Sequence, residues 1–346
     1  MKYFVTSSKD ASVYTDFKNQ NTGKDQILDL FKFKTADVDR SSRAFIQFDL
    51  TNVSESIASG EITSASFDLE LKATKINQLV HEFDLEIMPI SQSWSGGLGR
   101  RQDFPKTTDG VSYNYRDFIS GSAWATPGGD FITSLSRSVS FNQHTHDLNV
   151  DVTDIVNAHI EGTLPNYGMV IKFTDEEEND LKNYGEINFF SSETNTIFRP
   201  KLAVKFDDQV INTGSLTQTS DENAFITIKN LKKEYIEGHT YKFRLHTRDQ
   251  FPLPTFTTGS VYQIINYLPT GSKYSIVDNV TGDTIVPFDD ESKLSVDSQG
   301  NYFNQNFTGW EPERFYKIKF KIDNGDGSSQ LIDKNYVFKL IENNVR

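Results

Sequence analysis

An all-β fold of two tandem antiparallel β-sandwiches is what this 346-residue sequence predicts, and three observations carry it. Aromatic residues make up 13% of the chain, with 27 Phe and 14 Tyr, a bias that suits pleated, half-buried strands. Strict period-two alternation recurs along the whole length. Only one segment has a convincing helical pattern.

The clearest strand is "ASFDLELKA", in which Ala65, Phe67, Leu69, Leu71 and Ala73 face one way and Ser66, Asp68, Glu70 and Lys72 the other. The same alternation appears in "AFIQFDL" (Ile46, Phe48, Leu50), "EFDLEIM" (Phe83, Leu85, Ile87), "GMVIKF" (Met169, Ile171, Phe173) and "KLAVKF" (Leu202, Val204, Phe206). Strands with one apolar and one polar face belong to antiparallel sheets packed in pairs. The helix is "VTDIVNAHIEG": Thr153 is placed to cap it, Asp154 sits in the first turn, Ile155, Val156, His159 and Ile160 share a face, and Gly162 stops it.

The polar segment "DDQVINTGSLTQTSDEN" lacks apolar periodicity, so the domain boundary is set there. The expected division is a first sandwich at 1–207, a linker at 208–222 and a second sandwich at 223–346. In the second, "YKFRLHT" (Tyr241, Phe243, Leu245), "YKIKFKI" (Tyr316, Ile318, Phe320, Ile322) and "YVFKL" (Tyr336, Phe338, Leu340) alternate around turn signals. Their spacing suits an immunoglobulin-like sandwich.

Composition excludes several classes of function. A formal net charge of -13 argues against general nucleic-acid binding, which needs clustered Lys and Arg. With no Cys, there is no disulfide framework, thiolate metal site or Cys nucleophile. The opening "MKYFVTSSKDASVY" has no apolar core of signal-peptide length, and no run of about 18 apolar residues occurs. The expectation is synthesis in a host cytoplasm, no membrane association, and exit, if any, by assembly into a particle.

The search for chemistry finds little. The acidic run "DEEEND" (Asp175 to Asp180) lies between strand patterns and is expected to be a solvated loop. His144 and His146 in "QHTHD" share a strand face with no third metal ligand signalled. "DNGDGSS" (Asp323 to Ser329) has Gly325 where a calcium loop needs an oxygen ligand, so a hairpin turn is expected. His81, His159, His239 and His246 are isolated, and "SGGLGRR" is followed by the turn-rich "QDFPKTTDG" rather than a helix, so nucleotide binding has no support. No enzyme, cofactor or metal is expected.

The first 206 residues carry an ordered set of elements: "KDASVYTDFKNQNTGKDQILDLFKF", "SRAFIQFDL", "SQSWSGG", "GVSYNYRD" followed by "GSAWATPGGD", "NVDVTDIVNAHIEGTLPNYGMVIKF", and "NFFSSETNTIFRPKLAVKF". In this order they resemble the DNRLRE domains of bacterial and phage proteins, relatives of carbohydrate-binding β-sandwiches. The resemblance implies a jelly-roll-like sandwich used for adhesion or as a structural module in extracellular and virion proteins. The long connection 94–130 is then a strap, with Trp94 and Trp124 as apolar anchors and the Gly pairs 96/97 and 128/129 permitting its turns. Were a glycan bound, Trp94, Tyr113 and Trp124 would be the ligand-binding residues. The expected function is that of a structural virion protein of a tailed phage, in multiple symmetric copies among other virion proteins. A carbohydrate-binding adhesin is the alternative.

Overall fold

The computed structural model describes residues 1–35, 38–77, 82–141, 147–219, 224–253, 260, 263–324 and 327–343. His81, His144 and His146, singled out above, lie outside the described residues, as do Gly325 and Asp326 of the "DNGDGSS" turn. The chain forms two compact units, one of Val5–Ser59 and Ser66–Ala203, the other of Met1–Phe4, Gly60–Ala65 and Val204–Arg346. The second unit therefore contains segments from three places in the sequence, where the sequence suggests one continuous stretch.

The first thirteen strands are β1 (Lys2–Tyr14), β2 (Ile27–Lys34), β3 (Asp39–Phe48), β4 (Ala65–Leu71), β5 (Ala73–Asn77), β6 (Phe83–Pro89), β7 (Tyr115–Asp117), β8 (Ser122–Ala123), β9 (Arg137–Phe141), β10 (Leu148–Asp151), β11 (Met169–Phe173), β12 (Gly185–Phe190) and β13 (Lys201–Phe206). Pairing runs β10-β4-β13-β1-β3-β11-β6-β9, and β3 also pairs β2, from which β12 and β5 continue. Strand β3 thus feeds both layers of the first unit. Phe83 of β6 stacks on its cross-strand partner Phe141 of β9 at 5.6 Å, and between the layers Phe141 meets Phe189 edge-on at 6.3 Å and Phe173 lies 5.8 Å from Tyr184.

Alternation is borne out in β4, where Phe67, Leu69 and Leu71 are buried. The run does not continue to Ala73 in one strand: Lys72 is exposed and β5 begins after it, pairing with β12. In β3 and β11 both faces are buried, so Phe45 and Val170, on the faces opposite Ile46 and Ile171, are core residues as well.

Three α-helices occur among the described residues, two more than the pattern indicates. Helix α1 (Thr51–Ala58) follows Asp49, whose Oδ1 accepts from the Thr51 amide (3.0 Å) and hydroxyl (2.6 Å). Helix α2 (Thr153–Ile160) is the expected one and buries Ile155, Val156 and Ala158, but Thr153 does not cap it. Its hydroxyl accepts instead from Phe67 N of β4 (2.9 Å), so the residue joins helix to sheet. Helix α3 (Asp175–Asn179) replaces the expected solvated loop. Thr174 and Glu177 close a capping box around it, and four carboxylates in its first turn match the helix dipole.

The second unit contains β14 (Ala224–Ile228), β15 (Glu234–Ile236), β16 (Thr240–Asp249), β17 (Lys273–Asp278), β18 (Thr284–Val286), β19 (Ser295–Asp297), β20 (Gly300–Asn306), β21 (Phe315–Asp323) and β22 (Ser329–Ile341). One sheet is ordered β14-β16-β20-β19 and the other β15-β22-β21-β17-β18. Between them Phe303 of β20 stacks on Tyr274 of β17 at 4.0 Å and on Phe243 of β16 at 4.8 Å. The segment expected to be a linker is tied into this unit: Asn212 N donates to Val296 O (2.9 Å) and Thr219 N to Tyr267 O (2.9 Å). Strands β21 and β22 pair antiparallel, with Asp323 opposite Ser329.

Since Phe303 joins rings of both sheets, Phe303→Ala should destabilise the second unit by about 3–5 kcal/mol. Urea unfolding followed by tryptophan fluorescence and circular dichroism will measure it, and a loss below about 1 kcal/mol would mean that the site collapses around the gap.

Candidate functional site

The strap, residues 94–130, is held from beneath by the short loop between β1 and β2. Asn21, fully buried, serves four backbone groups of this region. Its Nδ2 donates to Gly96 O (2.7 Å) and Val111 O (2.9 Å), and its Oδ1 accepts from Gly23 N (3.1 Å) and Gly99 N (2.9 Å). Gln20 Nε2 donates to Arg100 O and Arg101 O, both at 2.9 Å. The Asn21 amide donates to Thr107 O and the Lys24 amide to Gly99 O, each at 2.9 Å. A covered connection needs partners for its backbone groups, and two amide side chains supply many of them here.

This arrangement demands close backbone approach. A Cβ on Gly23 would lie 1.9 Å from Gly96 O, and one on Gly110 would lie 2.6 Å from Gly97 Cα. Gly97 also has φ +74°, a left-handed conformation that disfavours any side chain.

The two tryptophans close the strap onto the sandwich. Trp94 is 4% exposed and Trp124 5%, in a cluster with Val13, Phe45, Met88, Val111 and Val170. The Phe45 ring meets both indoles edge-on, at 5.8 and 5.6 Å. Each indole N–H is satisfied, Trp94 Nε1 by Tyr167 O (2.8 Å) and Trp124 Nε1 by Ser112 O (3.1 Å). Lys9 Nζ lies 4.3 Å from the centroid of the Trp94 ring. Tyr113 is half-buried beside this cluster, with the Arg43 guanidinium 6.0 Å from its ring. The structure thus gathers the three sequence-selected residues around one core. Neither indole offers an open face of the kind on which a sugar ring stacks.

Sequence reading misses the ionic frame around the strap. Arg101 crosses to β2, pairing with Asp29 and lying 4.9 Å from the Tyr14 ring, whose hydroxyl donates to the same carboxylate at 2.7 Å. Burial raises the Asp29 pKa, against the opposing pull of Arg101. At the far end, Arg43 forks onto Glu178 of α3 (Nε to Oε1 2.9 Å, Nη2 to Oε2 2.5 Å) and donates to Gly128 O at 3.0 Å. Lys172 and Lys32, with side chains 2% and 1% exposed, also bind this acidic turn. Lys172 Nζ reaches Asp175 at 2.6 Å and Phe173 O at 3.0 Å, and Lys32 Nζ donates to Glu178 O. The Lys172 ammonium holds the Asp175 pKa below its usual value. The only sequence signal for this frame is a Lys or Arg at inward strand positions close to an acidic run.

Beneath the same loop, Asp10 is 2% exposed and accepts from Ser192 N (2.7 Å), Ser192 Oγ (3.1 Å) and Ser7 Oγ (3.3 Å). Burial outweighs these hydrogen bonds and pushes its pKa up to about 6. Among the described residues no group of three His, Asp or Glu side chains is placed to hold a metal ion, and none of their helices is long and apolar enough to cross a membrane. His159 is in the last turn of α2, its Nδ1 3.4 Å from Leu164 O.

Two outcomes test this description. Asn21→Ala orphans four backbone groups, so tryptic cleavage at Arg100, Arg101 and Lys106 should accelerate at least about tenfold, the factor that about 1.4 kcal/mol of lost local stability gives. Unchanged cleavage would show that the remaining contacts hold the strap without Asn21. Asp10, with its folded pKa above the unfolded carboxylate value, binds a proton more tightly when folded, so its contribution falls as pH rises from about 4 to about 6 and stays low above. The urea midpoint of Asp10→Asn relative to the native chain should therefore improve across that window, and a constant difference would assign the pH dependence elsewhere. No family model matches this sequence, and no curated protein matches it significantly.

Proposed function

We propose that this protein is a non-enzymatic structural component of a tailed-phage virion, acting through protein–protein contacts at an accessory position such as a collar, tail, fibre attachment or capsid decoration. The observation that carries the reading is the immobilised strap. A 37-residue connection held by buried amides, two buried indoles, the Arg101–Asp29 ion pair and a hydrogen bond from Arg43 to Gly128 O has the construction of a presenting surface rather than of a lid that opens. It holds Leu98, Phe104 and Ile119 in solvent, at 71%, 98% and 76% exposure. Apolar side chains held in one geometry lose little freedom when a partner covers them, which favours protein association.

The DNRLRE-like order of elements through residue 206 and the immunoglobulin-like spacing after it fit the same role. The lack of any Cys is compatible with assembly in a reducing cytoplasm. A glycan-binding role would need a surface other than the Trp94 and Trp124 rings, because both are closed off.

Mass spectrometry of purified particles from the source, with copy number measured against the major capsid protein, is the test. A signal at a small symmetric multiple is expected. Absence from particles overturns the reading and directs the free protein to a glycan array.

A further inference from the structure

We propose that Asp10 is a proton-controlled latch: when its carboxyl takes up a proton, the turn at 191–194 is fastened to β1, and the loop beneath the strap is held more firmly in mildly acidic solution than at neutral pH. The Asp10 carboxyl is buried and served only by neutral donors, Ser192 N, Ser192 Oγ and Ser7 Oγ. It forms no ion pair among the described residues. A carboxylate so placed gives up its hydration with no opposite charge to compensate.

The surrounding charges do not remedy this. Glu193, on the same turn, is a like charge, and it pairs with Lys24 of the β1–β2 loop at 2.5 Å. Asp25 of that loop accepts from Arg101 N (3.0 Å), and Asp29 of β2 is taken by Arg101 and the Tyr14 hydroxyl. Lys9, the neighbour of Asp10 in β1, reaches Trp94 O at 2.6 Å. In the strands on either side, β3 sets Ile46 opposite Asp10, and the charged residues of β13, Lys201 and Lys205, form no ion pair with it. The neutral acid, by contrast, fits the same geometry. A protonated Oδ1 donates to Ser192 Oγ (3.1 Å), since a hydroxyl accepts as well as donates, while Oδ2 goes on accepting from Ser192 N (2.7 Å).

The closed turn therefore binds the proton more tightly than an opened one in which the carboxylate meets water, and acid shifts the balance toward closure. With burial pushing the Asp10 pKa up to about 6, the bias is full below the ordinary carboxylate range and is lost as pH rises through about 6. The turn passes it on through an unbroken set of contacts. Ser191 N donates to Gln26 O (3.1 Å), Ser191 Oγ to Asp25 O (2.5 Å), and Glu193 holds Lys24. From the loop, the Lys24 amide donates to Gly99 O (2.9 Å), Lys24 O accepts from Arg100 Nε (3.2 Å), and Asp25 accepts from the Arg101 amide. Each side of this seat is thus one or two hydrogen bonds from the residue that Asp10 fastens.

Hydrogen exchange of the full chain, read by mass spectrometry at about pH 4.5 and about pH 7.5 and corrected for intrinsic exchange, tests the latch. Peptides across 188–196 should be at least about tenfold better protected at the lower pH, as a pKa of about 6 in the closed turn against about 4 in the opened one requires. Peptides across 19–27 and 96–103 should follow in the same direction. Asp10→Asn, which keeps the neutral state at every pH, should show the acid level of protection under both conditions. Equal protection of the native turn at the two pH values overturns the proposal, as does a response that survives in Asp10→Asn. A response confined to the turn overturns its link to the strap. Carbon-13 titration of the Asp-labelled native chain needs no substitution: one carboxyl should titrate near pH 6, and a set that all titrates below about pH 5 also overturns the latch.

Discussion

The need to satisfy the backbone of a long covered connection is the constraint on which the rest of the first unit depends. Residues 94–111 pass over the loop between β1 and β2 so closely that Gly23, Gly97, Gly99 and Gly110 have no room for a Cβ. Val111 O, Gly23 N and Gly99 N are buried there, and each would cost about 1–3 kcal/mol if left unpaired. Asn21 and Gln20 remove that cost, with Asn21 presenting both donor and acceptor from one side chain. With the connection held there, the indoles are buried together with Val111, while Leu98, Phe104 and Ile119 between them face solvent.

The ionic pairs extend the same logic to the strap's two ends. A buried cation is costly to leave alone and stable only with several partners. Lys32, Arg43 and Lys172 point inward from three strands; α3 supplies Glu178 to Arg43, Asp175 to Lys172 and the Glu178 carbonyl to Lys32, whose carboxylate partner is Asp39 of β3. The acidic run is thus part of the fold, and Arg43 joins it to Gly128 at the end of the strap.

Much of the architecture was legible because alternation leaves a direct trace. Strands β6 and β21 bury the residues their period-two pattern selects, and β4 and β16 do so at Phe67, Leu69, Leu71, Phe243 and Leu245, with Ala65 and Tyr241 half-buried. Trp94 and Trp124 were legible as anchors because large apolar residues flanking a glycine-punctuated connection have few other uses. Helices α1 and α3 were not, since each is at most eight residues long and is specified by caps and ion pairs rather than by an apolar stripe. Thr153 has the composition of a cap, yet its hydroxyl is taken by Phe67 N, a partner 86 residues away.

Local pattern by itself determined that the chain is β, which faces of most strands turn inward, and where the strap begins and ends, because these depend on neighbours one or two residues apart. The tertiary structure alone decided what holds the strap, which charges are spent internally, and that Met1–Phe4 and Gly60–Ala65 join the unit built mainly from Val204 onward. Those outcomes depend on pairings such as Asn21 with Val111 and Arg43 with Glu178, separated by 90 and 135 residues. A hydrogen bond or ion pair is set by distance in space, and no periodicity along the sequence encodes a partner that far away.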